Sequence, residues 1–288
     1  MMDADAEIPR LRGSDDGNPQ YSWVCGFAFE AYSVKFGIRA DEPSVLRSIR
    51  DQLPPGSQPA GPEVDRLFSV VTKTPPDAVS GGSTIELYRN EEKILIAFDM
   101  GLLLWTLESE IEICLAETTP HHVFVHAGVV GYEDRAILLP GPSFSGKSTL
   151  TAGLVRAGAT YYSDEYAVLD EHGLVHPYAR HLSLRDPQTS LARKHPTPLL
   201  SGRVGVHPLP VGLVVIATYR QGAAWAPQPI SPGAAMLALL ENTMTARHAP
   251  QRALEALHSV VESALVLQGE RDEADALARE LLTIIKRE

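Results

Sequence analysis

The chain has 288 residues, of which 44% are hydrophobic, enough for one large domain or two small ones with ample core. Against 36 acidic residues stand 25 basic ones, and the net charge of −11 argues against nucleic acid or an anionic membrane surface as the main partner. The 2 cysteines, Cys25 and Cys114, give neither a disulfide framework nor metal spacing, and no basic-then-apolar leader or membrane-length apolar run is visible, so a reduced cytoplasmic protein is expected.

Residues 1–20 are polar, acidic and aperiodic and read as a flexible tail. Tyr21, Trp23, Cys25, Phe27 and Phe29 then alternate with smaller or polar residues, and the parity flips to Tyr32, Val34, Phe36 and Ile38. This pattern predicts two strands joined by a turn, or one bulged strand. Asp41 offers an N-cap and Pro43 a first-turn proline for a helix with Val45, Leu46, Ile49 and Leu53 on one face. Strands follow at 66–72, 84–88 and 93–98, the last two a hairpin, and a helix over 101–116 carries Leu103, Leu104, Leu107, Ile111 and Leu115. Residues 21–118 therefore read as a small α+β subdomain, and they contain no catalytic constellation.

The rest of the chain, 119–288, is organised around a match to G-x-x-x-x-G-K-[ST]: Gly141, Pro142, Ser143, Phe144, Ser145, Gly146, Lys147, Ser148 and Thr149. An apolar run precedes it and a helical one follows, which is the context a phosphate-binding P-loop needs. Its glycines let successive N–H groups at a helix N-terminus face a polyphosphate, Lys147 reaches the β and γ phosphates, and the Ser148 hydroxyl ligates Mg²⁺. ATP and Mg²⁺ are the implied cofactors; an Asn-Lys-x-Asp guanine motif is lacking.

Only Glu133 and Asp134 separate the β-rich run 122–132 from the strand entering the P-loop. That connection is too short for a crossover, so the preceding strand must be its antiparallel neighbour. A turn centred there pairs residues whose numbers sum to 267, which puts His126 opposite Gly141. Beyond the P-loop a helix over 147–157 ends at Gly158, and a strand over 160–163 delivers Asp164 and Glu165 to the carboxyl edge of the sheet, where α/β proteins bind ligands. A hairpin over 166–178 and a strand over 181–185 follow. The loop 186–209 comes next; Arg185, Arg193, Lys194 or Arg203 is expected to approach the transferring phosphoryl group. The apolar run 212–217 is a buried strand, and three helices from 231 onward are expected to cover one end of the sheet.

The spacing of these groups resembles the catalytic domain of HPr kinase/phosphorylase, which is related in fold to phosphoenolpyruvate carboxykinase. In that family a histidine opens a strand 15 residues before the first P-loop glycine, as His126 does before Gly141, and an acidic pair begins 17 residues after the P-loop lysine, as Asp164 does after Lys147. The resemblance covers roughly 120–185. It implies an α/β P-loop domain with an antiparallel strand beside the P-loop strand, Asp164 as the carboxylate acting on an acceptor hydroxyl, Glu165 as a Mg²⁺ or phosphate-side partner, and His126 as polar support. Glu165 stands where the family has aspartate, and the downstream Glu-Ile-Arg-Gly signature is replaced by His-Pro-Tyr-Ala-Arg from 176. Short HPr-kinase-like proteins of peptide natural-product pathways look closer, which implies a Ser/Thr kinase acting on a precursor peptide or small protein. A nucleotide-dependent peptide-binding scaffold and a small-molecule kinase or carboxykinase are the alternatives.

Overall fold

The computed structural model describes residues 8–12, 23–73, 83–142, 145–180, 182–185, 192–195 and 203–287. It is a mixed α/β protein with two mixed sheets and six α-helices among those residues, and it divides into two compact units, Met1–Pro120 and His121–Glu288.

In the first unit the elements run Arg10–Leu11 (β1), Cys25–Ala31 (β2), Val34–Ala40 (β3), Pro43–Arg50 (α1), Gln58–Pro59 (β4), Glu63–Val64 (β5), Arg66–Lys73 (β6), Thr84–Arg89 (β7), Glu92–Ala97 (β8) and Met100–Thr118 (α2). The parity flip in the sequence is a hairpin: β2 and β3 pair from Cys25↔Ala40 to Ala31↔Val34, and Tyr32 and Ser33 both take positive φ, as a tight two-residue turn requires. The sheet order is β4-β2-β3-β6-β7-β8. Two expectations fail here. Part of the supposed tail is ordered, because β1 pairs in parallel with β5 and Pro9 is buried. Asp41 does not cap α1: Glu42 holds the N-cap position without a side-chain bond, while both Asp41 carboxylate oxygens accept from the Thr72 N–H at 3.1 and 2.9 Å. A short acceptor beside an unpaired strand amide satisfies that donor instead of a helix amide.

The second unit contains Val123–Tyr132 (β9), Arg135–Pro140 (β10), Lys147–Arg156 (α3), Thr160–Ser163 (β11), Tyr166–Leu169 (β12), Leu174–His176 (β13), Leu182–Arg185 (β14), Ala192–His195 (β15), Leu209–Tyr219 (β16), Gln228–Pro229 (β17), Pro232–Leu240 (α4), Pro250–Ser263 (α5), Leu265–Arg271 (β18) and Ala274–Ile285 (α6). β10 has an antiparallel neighbour, β9, on one side and a parallel one, β16, on the other; β18 extends the sheet parallel to β16. Alternate residues of β10 face opposite cores. Ala136 and Leu138 pack with residues of α4 and α5, and Ile137 and Leu139 with residues of α3 and α6. Burying each of Ile137, Leu138 and Leu139 contributes about 1.5–3 kcal/mol. Helices therefore cover both faces of the sheet rather than one end, and the chain between α5 and α6, read from the sequence as helix and loop, is the strand β18. The loop 186–209 also carries a strand, since β15 pairs antiparallel with β14.

Candidate nucleotide site

The site begins with the turn between β9 and β10. Glu133 and Asp134 both have positive φ, 46° and 63°, and the two strands pair from Arg135↔Tyr132 to Pro140↔Ala127. This register leaves Gly141 facing His126, and the Gly141 N–H points at the His126 carbonyl at 3.4 Å. The P-loop thus starts where β10 runs out of partners. It ends at Gly146, the N-cap of α3, whose φ of 87° suits glycine.

Lys147, at the first position of α3, is 9% exposed and folds back over the loop, donating to the Gly141 and Pro142 carbonyls at 2.8 Å each. Burial pulls its pKa below the ordinary lysine value, and the charges of Glu165 and Asp164 work against that pull. Ser148 and Thr149 lie in the same first turn, where backbone N–H groups have no intrahelical partner. Ser143 and Phe144 lie outside the described residues.

The acidic pair follows β11 directly, as the sequence led one to expect, and lies between β11 and β12. β11 and β12 both pair antiparallel with β9; the register shifts within β11, between Tyr161 and Ser163, and from Ser163 onward the chain continues in one register along the same edge. The Ser163 hydroxyl holds the bend that carries the pair, accepting from the Glu165 and Tyr166 N–H groups at 3.2 and 3.0 Å. Asp164 is 4% exposed and accepts from the Tyr161 hydroxyl at 2.8 Å. Burial, together with the Asp164 charge, holds the Tyr161 phenol well above its usual range. The Glu165 carboxylate lies 3.3 Å from His126 Nε2. Burial would raise the Glu165 pKa, but the His126 hydrogen bond and the charges of His126, Lys147 and Arg180 outweigh it and leave the carboxyl below its usual range. Arg180, whose charge acts on Glu165, belongs to no motif that would single it out.

Lys147, Ser148, Asp164, Glu165 and His126 therefore converge on one edge of the sheet around Gly141. Arg203 does not join them. Its carbonyl accepts from the Tyr161 N–H at 2.7 Å, and its side chain lines a cavity of about 590 Å³ with Glu133, Asp134, Tyr162 and His207 at the opposite end of the strands. Arg185 falls on β14 and Arg193 and Lys194 on β15; their side chains lie outside the described residues.

No protein-family model and no curated protein matches the chain. The chemistry of the site is judged from its own groups. Among the described residues no cluster of three or more His, Cys, Asp or Glu could hold a metal by itself. Mg²⁺ asks for less: it is held by one or two carboxylates or hydroxyls together with substrate phosphates. Ser148, Asp164 and Glu165 are hard oxygen donors of that kind. Among the described residues no helix is long and apolar enough to cross a membrane.

Proposed function

We propose that the chain is an ATP- and Mg²⁺-dependent kinase that transfers a γ-phosphoryl group to a Ser or Thr hydroxyl of a peptide or small protein, on a nucleotide domain of the HPr kinase/phosphoenolpyruvate carboxykinase type. The observation that carries this reading is the strand register: it sets His126 against the first P-loop glycine, and the next strand places Asp164 and Glu165 within electrostatic reach of Lys147. Phosphoryl transfer needs a phosphate cradle, counter-charge and a carboxylate for the acceptor proton, all at one place.

The residues divide these tasks. The α3 N-terminus and Lys147 bind the phosphates, the lysine exchanging loop carbonyls for phosphate oxygens. Ser148 and Glu165 would hold Mg²⁺, which would supply counter-charge to the phosphates. Asp164, oriented by the Tyr161 hydroxyl, accepts the acceptor's proton, and His126 fixes Glu165. Arg180 supplies further positive charge beside Glu165. An antiparallel strand on one side of β10 with a parallel strand on the other favours this domain type over switch proteins built on mainly parallel sheets.

A second reading rests on the burial of Asp164: a carboxylate only 4% exposed also suits a scaffold in which nucleotide stabilises a peptide-binding surface without transfer. The two separate when the full chain, Mg²⁺ and ATP are incubated with serine- and threonine-containing peptides and the products weighed by mass spectrometry. The kinase reading requires one phosphate added to a peptide. Peptide binding that depends on ATP, with no mass gain on any peptide, supports the scaffold.

A further inference from the structure

The P-loop strand β10 divides the sheet edge into two sides. His126, Asp164 and Glu165 lie on the β9 and β12 side. On the other side β16 and β18 run parallel to β10 and end together, with Tyr219 and Arg271 as Cα partners. No step of phosphoryl transfer falls to this second side, yet it touches the P-loop directly. Arg271 Nη2 donates to the Gly146 carbonyl at 3.2 Å, at the very start of α3.

Arg271 is an unusual residue to bury. It is 3% exposed, and Nη1 donates to the Asp272 carbonyl at 2.9 Å, so carbonyl oxygens take up both terminal nitrogens. Its Nε has no hydrogen-bond partner among the described residues, although the charges of Glu273 and Asp272 lie near enough to favour the guanidinium. A buried charge left with an unused donor is costly unless something else meets it. The guanidinium carbon lies 5.5 Å from the centre of the Tyr219 ring, and that ring is 52% exposed. A buried cation with an unpaired donor and a half-exposed aromatic face are thus set side by side against the anion-binding end of α3.

We infer that the ends of β16 and β18 form the nucleoside subsite, in which the Tyr219 ring stacks on the base and Arg271 binds the segment joining the base to the P-loop phosphates. The inference rests on the nucleotide reading of the P-loop. A triphosphate has two ends, and once its γ end faces the carboxylates on the β9 and β12 side, its nucleoside end leaves on the β16 and β18 side. Stacking on an aromatic face reads the presence of a base and not its edge pattern, which agrees with a chain that carries no Asn-Lys-x-Asp motif.

The test compares ATP with inorganic tripolyphosphate, which has the same phosphates and no nucleoside. Binding of each to the full chain is measured by calorimetry for wild type, Tyr219→Ala, Tyr219→Phe, Arg271→Lys and Lys147→Ala. Tyr219→Ala is expected to weaken ATP roughly tenfold, the scale of one lost base–aromatic stack, and to leave tripolyphosphate unchanged; Tyr219→Phe restores ATP binding. Arg271→Lys weakens ATP more than tripolyphosphate. Lys147→Ala weakens both ligands. If Lys147→Ala acts as stated while Tyr219→Ala leaves the ratio of the two affinities at its wild-type value, the subsite is wrong and the P-loop reading stands. If Lys147→Ala alters neither ligand, the P-loop reading fails and takes the subsite with it.

Discussion

Gly146 meets three demands at once. Its φ of 87° is a conformation that costs an L-residue about 1–2 kcal/mol, its carbonyl starts α3 by accepting from Leu150 N–H at 3.0 Å, and a Cβ there would run into Arg271 Nη2. Gly146→Ala is therefore expected to lower unfolding stability by about 1–3 kcal/mol and to weaken ATP binding as well, because the guanidinium has to move. Urea unfolding with and without ATP checks both, and a variant as stable as wild type with full ATP protection would contradict the geometry. The motif made Gly146, Lys147 and Ser148 legible in the sequence, because phosphate chemistry fixes their types and spacing. Arg180 and Arg271 were not legible. A lone arginine has no local pattern, and these two acquire their roles only through strands that meet in space.

Among the elements, β6, β7 and β8 show how a sheet places charge. Glu86 on β7 is buried between Lys73 of β6, at 3.0 Å, and Lys93 of β8, at 2.8 Å, and accepts from the Tyr88 hydroxyl at 2.7 Å. Burial alone would raise its pKa, but the hydrogen bonds from Lys93, Tyr88 and Lys73 bring it down to about 2. A folded-state pKa below the unfolded one gives stability that is present above about 4.5 and lost as pH falls toward about 2. Glu86→Gln should remove that acid limb from the unfolding profile and cost about 1.5–3 kcal/mol at neutral pH, the range for hydrogen bonds to a charged group. Melting curves between pH 2 and 7 decide it; an unchanged acid limb in the variant would sink the assignment. The strands here were readable because their apolar residues alternate. β18 was not: Leu265, Val266 and Leu267 are followed by Gln268, Gly269, Glu270 and Arg271, a run too short and polar to show a period, and it becomes a strand because β16 supplies a parallel partner along its whole length.

At the scale of the whole molecule, connection length carried more information than propensity. Two residues between β9 and β10 forced an antiparallel pair, and that pair fixed His126 against Gly141 before any side chain was considered. The same reasoning placed the acidic pair after β11 but did not foresee its burial. β11 ends at Ser163, but the chain runs on along β9 into β12, and Asp164 in the bend between them is buried instead of displayed. The helices after residue 231 were recognised by period, but which face each covers depends on the sheet order, which no local pattern encodes. What the molecule does turns on whether the buried Asp164 acts in chemistry. The direct measurement is single-turnover transfer from γ-labelled ATP to a phosphorylatable peptide by wild type and Asp164→Asn, each saturated with Mg-ATP whose affinity is measured in parallel. The kinase account predicts that Asp164→Asn binds ATP within about threefold of wild type and transfers at least about a hundredfold more slowly, the scale of lost general-base catalysis; transfer at the wild-type rate by this variant would contradict it.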